Sequence, residues 1–124
     1  MVTGLLMGLL AFSTVQAQSD VDAIVNAFKS ANAAQVGQYF DDMLDIKLME
    51  KPEIKSISRN QATLALKAFF SENGVKGFEK TSERELGNTM YLTGKLQGDD
   101  KGHNLTILLK QKDGKRMIIS LRIS

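Results

Sequence analysis

The chain has no cysteine, no tryptophan, one histidine and one proline in 124 residues. Without cysteine there is no disulfide, no thiolate metal site, no thiol nucleophile and no lipid-modified cysteine anchor. The one histidine, His103, sits between Gly102 and Asn104 with no partner in view to orient it in a triad or a metal site. An excess of either charge is also missing: 16 basic residues stand against 14 acidic ones, a formal net charge of +2. Binding to nucleic acid or to a membrane surface needs a concentrated basic field, and this balance does not supply one. There is no internal repeat, low-complexity tract or linker, and the length suits one globular domain.

The first residues read as a targeting segment. Leu5 to Phe12 is apolar, and Val15-Gln16-Ala17 resembles a small-x-small cleavage site. The run is too short for a bilayer span, which takes ~20 residues. The expectation is a signal peptide over 1–17, an exported product in the periplasm or outside the cell, and no transmembrane span in the mature chain. A buried N-terminal helix is the alternative. No Lys or Arg precedes the apolar run, so residue 1 need not be the true start of the leader.

From Asp20 to about Asp42 the spacing predicts two short helices or one broken one. Val21, Ile24, Val25 and Phe28 recur at helical intervals after a cap at Ser19, and after a second cap at Asn32 so do Val36, Tyr39, Phe40 and Met43. Leu44, Ile46 and Leu48 alternate with Asp45 and Lys47 as a short strand that ends before Pro52, and Glu50 to Ser56 reads as loop. Ser58 and Gln61 make a helix start, Ala62, Ala65, Leu66, Phe69 and Phe70 its apolar stripe, and Asn73-Gly74 its stop. Phe78 to Leu86, charged on both faces, reads as an edge strand. Asn88 to Gln97 is a strand with Met90, Leu92 and Leu96 on one face and Gly94 among them.

The last hairpin, Leu105 to Ile123, carries the most regular pattern. A two-residue Asp113-Gly114 loop would set Leu109 opposite Ile118 but Ile107 opposite Ser120, which mixes faces. A three-residue loop, Lys112-Asp113-Gly114 with Gly114 left-handed, aligns Leu109 with Met117, Ile107 with Ile119 and Leu105 with Leu121. The second register is therefore expected. The whole order is α+β, with helices laid on the apolar face of a curved antiparallel sheet.

That order resembles the cystatin-like, nuclear-transport-factor-2-like superfamily of small cone-shaped domains. It is more closely similar to a bacterial exported family, domain-of-unknown-function family 4783. The residues that carry the likeness are Ile24-Val25-Asn26-Ala27-Phe28-Lys29-Ser30, Tyr39-Phe40, Gln61-Ala62, Phe69-Phe70 with Asn73, and Phe78. Tyr91-Leu92-Thr93-Gly94, Leu108-Leu109-Lys110 and Leu121-Arg122-Ile123 extend it to the C-terminus. The resemblance implies a single domain over 18–124. It specifies no chemistry, because the superfamily holds dehydratases, isomerases, transport factors and non-enzymatic binding domains.

The candidate residues divide accordingly. Tyr39, Phe70 and Tyr91 could line the mouth of an apolar cavity, with Arg122 fixing a ligand anion. Read instead as packing, the three aromatics are core and Arg122 pairs with a carboxylate. Asp41, Asp42 and Asp45 would serve a catalytic reading only if burial raised one of them to a general base. Otherwise they are solvated. Lys110, Lys112, Lys115 and Arg116 gather at the hairpin tip without interleaved aromatics and read as a solvated tip. His103 reads as an exposed turn residue, and the sequon Asn104-Leu105-Thr106 falls in a strand. The expected function is a non-catalytic exported domain that binds a small apolar ligand or a protein partner, with no cofactor and no metal. A homodimer stays open. The alternative is a small dehydratase- or isomerase-type enzyme using Asp41 or Asp42 with Tyr39. N-terminal sequencing of the mature protein is expected to begin near Gln18; a product that keeps Met1 would refute export.

Overall fold

The computed structural model describes residues 19–99 and 101–124. The leader expected over 1–17 lies outside them. A first helix, α1, covers residues 19–29 and already includes Ser19. It is followed by α2 (Ala33–Gly37), β1 (Phe40–Leu48), β2 (Ile54–Ser58), α3 (Arg59–Glu72), β3 (Gly77–Leu86), β4 (Thr89–Gln97), β5 (His103–Lys112) and β6 (Lys115–Ile123). The six strands form one sheet in the order β2-β1-β6-β5-β4-β3. All neighbours are antiparallel except β1 and β6, so the sheet is mixed where an antiparallel one was expected.

Periodicity placed the core faces of the helices correctly. Val21, Ile24, Val25 and Phe28 of α1 are buried, as are Ala62, Leu66, Phe69 and Phe70 of α3. Ser58 caps α3 by accepting the Gln61 N–H, and Asn32 caps α2 by accepting the Gln35 N–H. The helix expected to run on through Tyr39, Phe40 and Met43 ends at Gly37 instead. A Cβ on Gly37 would lie 2.2 Å from Thr63 Oγ1, so α2 crosses α3 at contact distance there. Beyond it the backbone turns to the sheet: Ile118 N–H donates to Tyr39 O at 2.6 Å, and Phe40 pairs with Ile118. Phe40 is fully buried, whereas Met43 is 53% exposed. Part of the expected loop before Ser58 is strand β2.

The final hairpin corrects the expected register. Asp113 and Gly114 have φ of +51° and +78° and form a two-residue turn in place of the expected three-residue loop, and Lys112 pairs directly with Lys115. Leu109 lies opposite Ile118 and not Met117. The parity problem is solved further in: Leu108 pairs with Ser120, leaving Ile119 as a bulge. Beyond the bulge Ile107 faces Leu121 and Leu105 faces Ile123, and all of these are buried. One extra residue thus restores an apolar row that a regular ladder would have turned to water.

Two further bulges bend the sheet. Thr81 is left unpaired between Lys80–Gly94 and Ser82–Thr93. In β2 the ladder skips across Ser56, whose φ is +56°, and the Asp45 carboxylate accepts the orphaned Ser56 N–H at 3.0 Å. The helices fill the resulting concavity. Phe28 meets Phe70 edge-on at 6.4 Å and Phe78 at 5.5 Å, joining α1, α3 and β3. Phe78 in turn lies over Gly94 of β4, where a Cβ would come within 2.4 Å of the ring.

Two substitutions separate the contributions. Phe70→Ala is expected to cost about 3–5 kcal/mol, the range for a buried aromatic. Gly114→Val, at a left-handed turn with open space around it, is expected to cost about 1–2 kcal/mol through its backbone alone. Denaturant midpoints at constant m-value would check both; equal losses would refute the ranking.

Candidate functional site

The four residues expected to line one cavity do not converge. Phe70 is buried on the core face of α3. Tyr39 is half-buried in a polar cleft with Asp20, Gln38, Arg59, Lys115 and Met117. Tyr91, 41% exposed, pairs with Leu108 on the outer face of the sheet. Arg122 is exposed on that same face, opposite Thr106, with its guanidinium 3.9 Å from Glu53. The concave face is occupied by the core, so these side chains cannot share a chamber.

The acidic residues of β1 each have a structural partner. Asp42 pairs with Arg59 at 2.9 Å, and the same guanidinium donates through Nε to Phe40 O. Asp45 serves the β2 bulge. Asp41 accepts from Lys112 Nζ at 3.2 Å and from the Asp42 N–H at 2.9 Å. Burial acts to raise the Asp41 pKa, but the Asp42 N–H, the Lys112 ammonium and the Arg59 charge outweigh it and hold the carboxyl below its ordinary value. A general base poised near neutrality would need the opposite shift.

The hairpin-tip cations also separate. Lys112 holds Asp41. Lys110 and Lys115 are exposed, and Arg116 is buried, donating to Glu85 at 2.9 Å. His103 corrects another expectation. It is the first residue of β5, paired with Leu96, half-buried, and its ring meets Phe69 edge-on at 5.6 Å. Asn104 is exposed beside it.

An apolar cleft lies elsewhere, between α3 and the turn joining β1 to β2. It encloses about 360 Å³, within the range of small-ligand sites. Leu48, Met49 and Ile54 form one wall; Ala65, Ala68 and Phe69 form the other. Positions 65, 68, 69, 72 and 73 of the second wall lie at helical spacing on one face of α3 and its cap. Alanine at 65 and 68 leaves the gap open, and Phe69 contributes a largely buried ring, 6% exposed. Ile54, 50% exposed, stands at the lip.

The turn is held rigidly. Lys47 Nζ donates to Met49 O at 2.6 Å and to Lys51 O at 2.8 Å. Met49 has φ of +54° and donates its N–H to Ile123 O at 2.8 Å. A charged donor on two carbonyls offsets that left-handed residue. Ala65, expected in the core stripe, is half-buried at this cleft, and the space between it and the turn leaves no signal in residue spacing.

The model of a family described as "Domain of unknown function (DUF4783)" matches residues 21–124. The chain belongs to this family. None of the curated proteins matches it. Among solved structures it is similar to a DUF4783 family protein from Bacteroides fragilis YCH46, with 24% identity and a TM-score of 0.74 over 82% of this chain and 93% of that one. It is also similar to a protein of ketosteroid isomerase-like fold from Catenulispora acidiphila, with 16% identity and a TM-score of 0.63 over 87% and 85% of the two chains. An NTF2-like protein from Cytophaga hutchinsonii has 9% identity and a TM-score of 0.62 over 86% and 93%. The fold is therefore NTF2-like α+β. Among the described residues, no helix is long and apolar enough to cross a membrane, and no group of three or more His, Cys, Asp or Glu is placed to hold a metal ion.

The Asp41–Lys112 pair predicts a pH response. A depressed carboxylate pKa contributes stability above the unfolded value of ~3.9 and loses it as pH falls through the folded pKa. Lys112→Met should raise the Asp41 pKa and lower stability near neutrality by up to ~1 kcal/mol, as for surface pairs. The difference should shrink as pH falls through the folded Asp41 pKa and vanish once the carboxyl is protonated in both states. Carboxyl NMR titration with acid unfolding would test this; an unchanged Asp41 pKa would refute the pairing.

Proposed function

We propose that this chain is an exported, non-catalytic binding domain that takes a small apolar group in the cleft between α3 and the β1–β2 turn. The observation that carries this is the cleft itself: Leu48, Met49, Ile54, Ala65, Ala68 and Phe69 wall an open space where close packing would be expected. Solvent-facing apolar surface of this kind costs free energy that an occupant would recover. The Lys47 clamp supports the reading, because a wall fixed before binding loses little entropy when a ligand arrives. The ion-paired and hydrogen-bonded states of Asp41, Asp42 and Asp45 support a non-catalytic role. Export rests on the apolar Leu5–Phe12 run and the Val15-Gln16-Ala17 site.

A neutral alkyl probe tests binding without presuming the natural ligand. 1-Octanol titrated into isotopically labelled protein should shift the amides of Ile54, Ala65 and Phe69 with saturation. Ala68→Trp should fill the cleft and weaken that binding by at least about tenfold, the factor that ~1.4 kcal/mol represents. Residue 68 is exposed, so the larger side chain should leave the fold intact. Saturable shifts elsewhere, none at all, or unchanged binding by the Trp variant would overturn the assignment.

A further inference from the structure

β3 is the most exposed strand of the sheet. It has ten residues, and from Glu79 to Leu86 every one is exposed. Among the described residues it pairs with β4 alone, so its far edge carries backbone N–H and C=O groups that no strand takes up. The opposite edge, β2, has five residues, and the Asp45 carboxylate already takes the amide at its bulge. Charge on an edge repels a copy of the same strand when like signs face each other. In Glu79-Lys80-Thr81-Ser82-Glu83-Arg84 the signs are arranged the other way. Turned end for end about the midpoint of Thr81 and Ser82, this segment sets Glu79 opposite Arg84 and Lys80 opposite Glu83.

The bulge in β3 makes that pairing geometrically possible. Residues directly opposite each other in an antiparallel pair lie on one face of the sheet, and a two-fold axis normal to the sheet keeps each face on its own side. In a regular strand Glu79 and Arg84, five apart, would point to opposite faces. The unpaired Thr81 shifts the alternation, so that Glu79 lies beside Lys95 and Arg84 beside Tyr91, both on the outer face. Lys80, beside Gly94, and Glu83, beside Leu92, share the other face, where they already form an ion pair. Glu79 and Arg84 belong to no ion pair among the described residues. We propose that β3 is an interface for a second copy of this chain, the two β3 edges running antiparallel about a two-fold axis between Thr81 and Ser82. Each Glu79 then meets Arg84 of the other copy, and the two Lys80–Glu83 pairs combine into a square of alternating sign. The exposed Leu86 comes to lie beside Gly77 of the other copy, on the outer face, where no side chain obstructs it.

Sedimentation equilibrium at ~0.1–1 mM protein and low ionic strength tests this, a range suited to an interface smaller than the ~1,600 Å² of a standard one. A monomer–dimer equilibrium is expected, weakening as salt is added. Glu79→Arg should weaken it by about tenfold or more, because the axis repeats each like-charge contact, and Arg84→Glu should do the same. The double variant Glu79→Arg, Arg84→Glu reverses every pair while keeping opposite signs together, and should restore association. Both positions are exposed, so denaturant midpoints should stay unchanged in all three variants. A protein that stays monomeric at the top of this range overturns the proposal. A dimer that the single variants leave unchanged also overturns it, because the contact then lies on another surface. A double variant as weak as the single ones refutes the register and the proposal with it.

Discussion

Phe28 is the contact on which the arrangement of helices and sheet depends. Its ring is fully buried and touches Phe70 of α3 and Phe78 of β3. Phe78 can reach it only because Gly94 on the next strand has no side chain in the way. A missing Cβ in β4 thus sets how closely α1 lies on the sheet, and through Phe70 where α3 sits. The position of α3 then decides the width of the cleft on its far side. Phe69 links the two: its ring is at once the edge of the core, a wall of the cleft and the seat of His103.

Much of this could be read from residue spacing, and the failures have physical causes. The core positions of α1 and α3 were visible because period 3.6 survives wherever a helix covers the sheet. The start of β1 was misread because Val36, Tyr39, Phe40 and Met43 happen to keep that period across a change of backbone. What ends the helix is a tertiary fact, the contact of Gly37 with Thr63 and the pairing of Phe40 with a strand almost eighty residues later. In the final hairpin the inward faces of Leu105, Ile107, Leu109, Leu121 and Ile123 were correctly read. The turn was not, because Ile118 and Ile119 are the same residue type and no pattern reveals which one bulges.

The cleft was harder to read for a different reason. Periodicity reports where side chains pack, and this site is made by side chains that are too small to do so. Ala65 and Ala68 look like ordinary helix residues, and Met49 to Ile54 looks like a connection. The four residues proposed to form one cavity were aromatic or basic and conspicuous. They fall on both faces of the sheet and around separate clefts. The aspartates of β1 were ambiguous in sequence and are resolved by distance alone: one closes a bulge and two hold cations.

The strand order also bears on how the chain acquires its shape. β6 ends at Ile123, yet it lies between β1 and β5 and joins the two halves of the sheet. Until β6 has left the ribosome, β1 has only β2 beside it, and a lone two-stranded hairpin is marginal in water. The nascent chain can therefore build helices and the β3–β4–β5 meander but cannot close its core. The folding rate carries the entropy of bringing Phe40 and Ile118 together. A chain truncated before Lys115 is not a smaller version of this domain; it is two pieces of sheet with no strand between them.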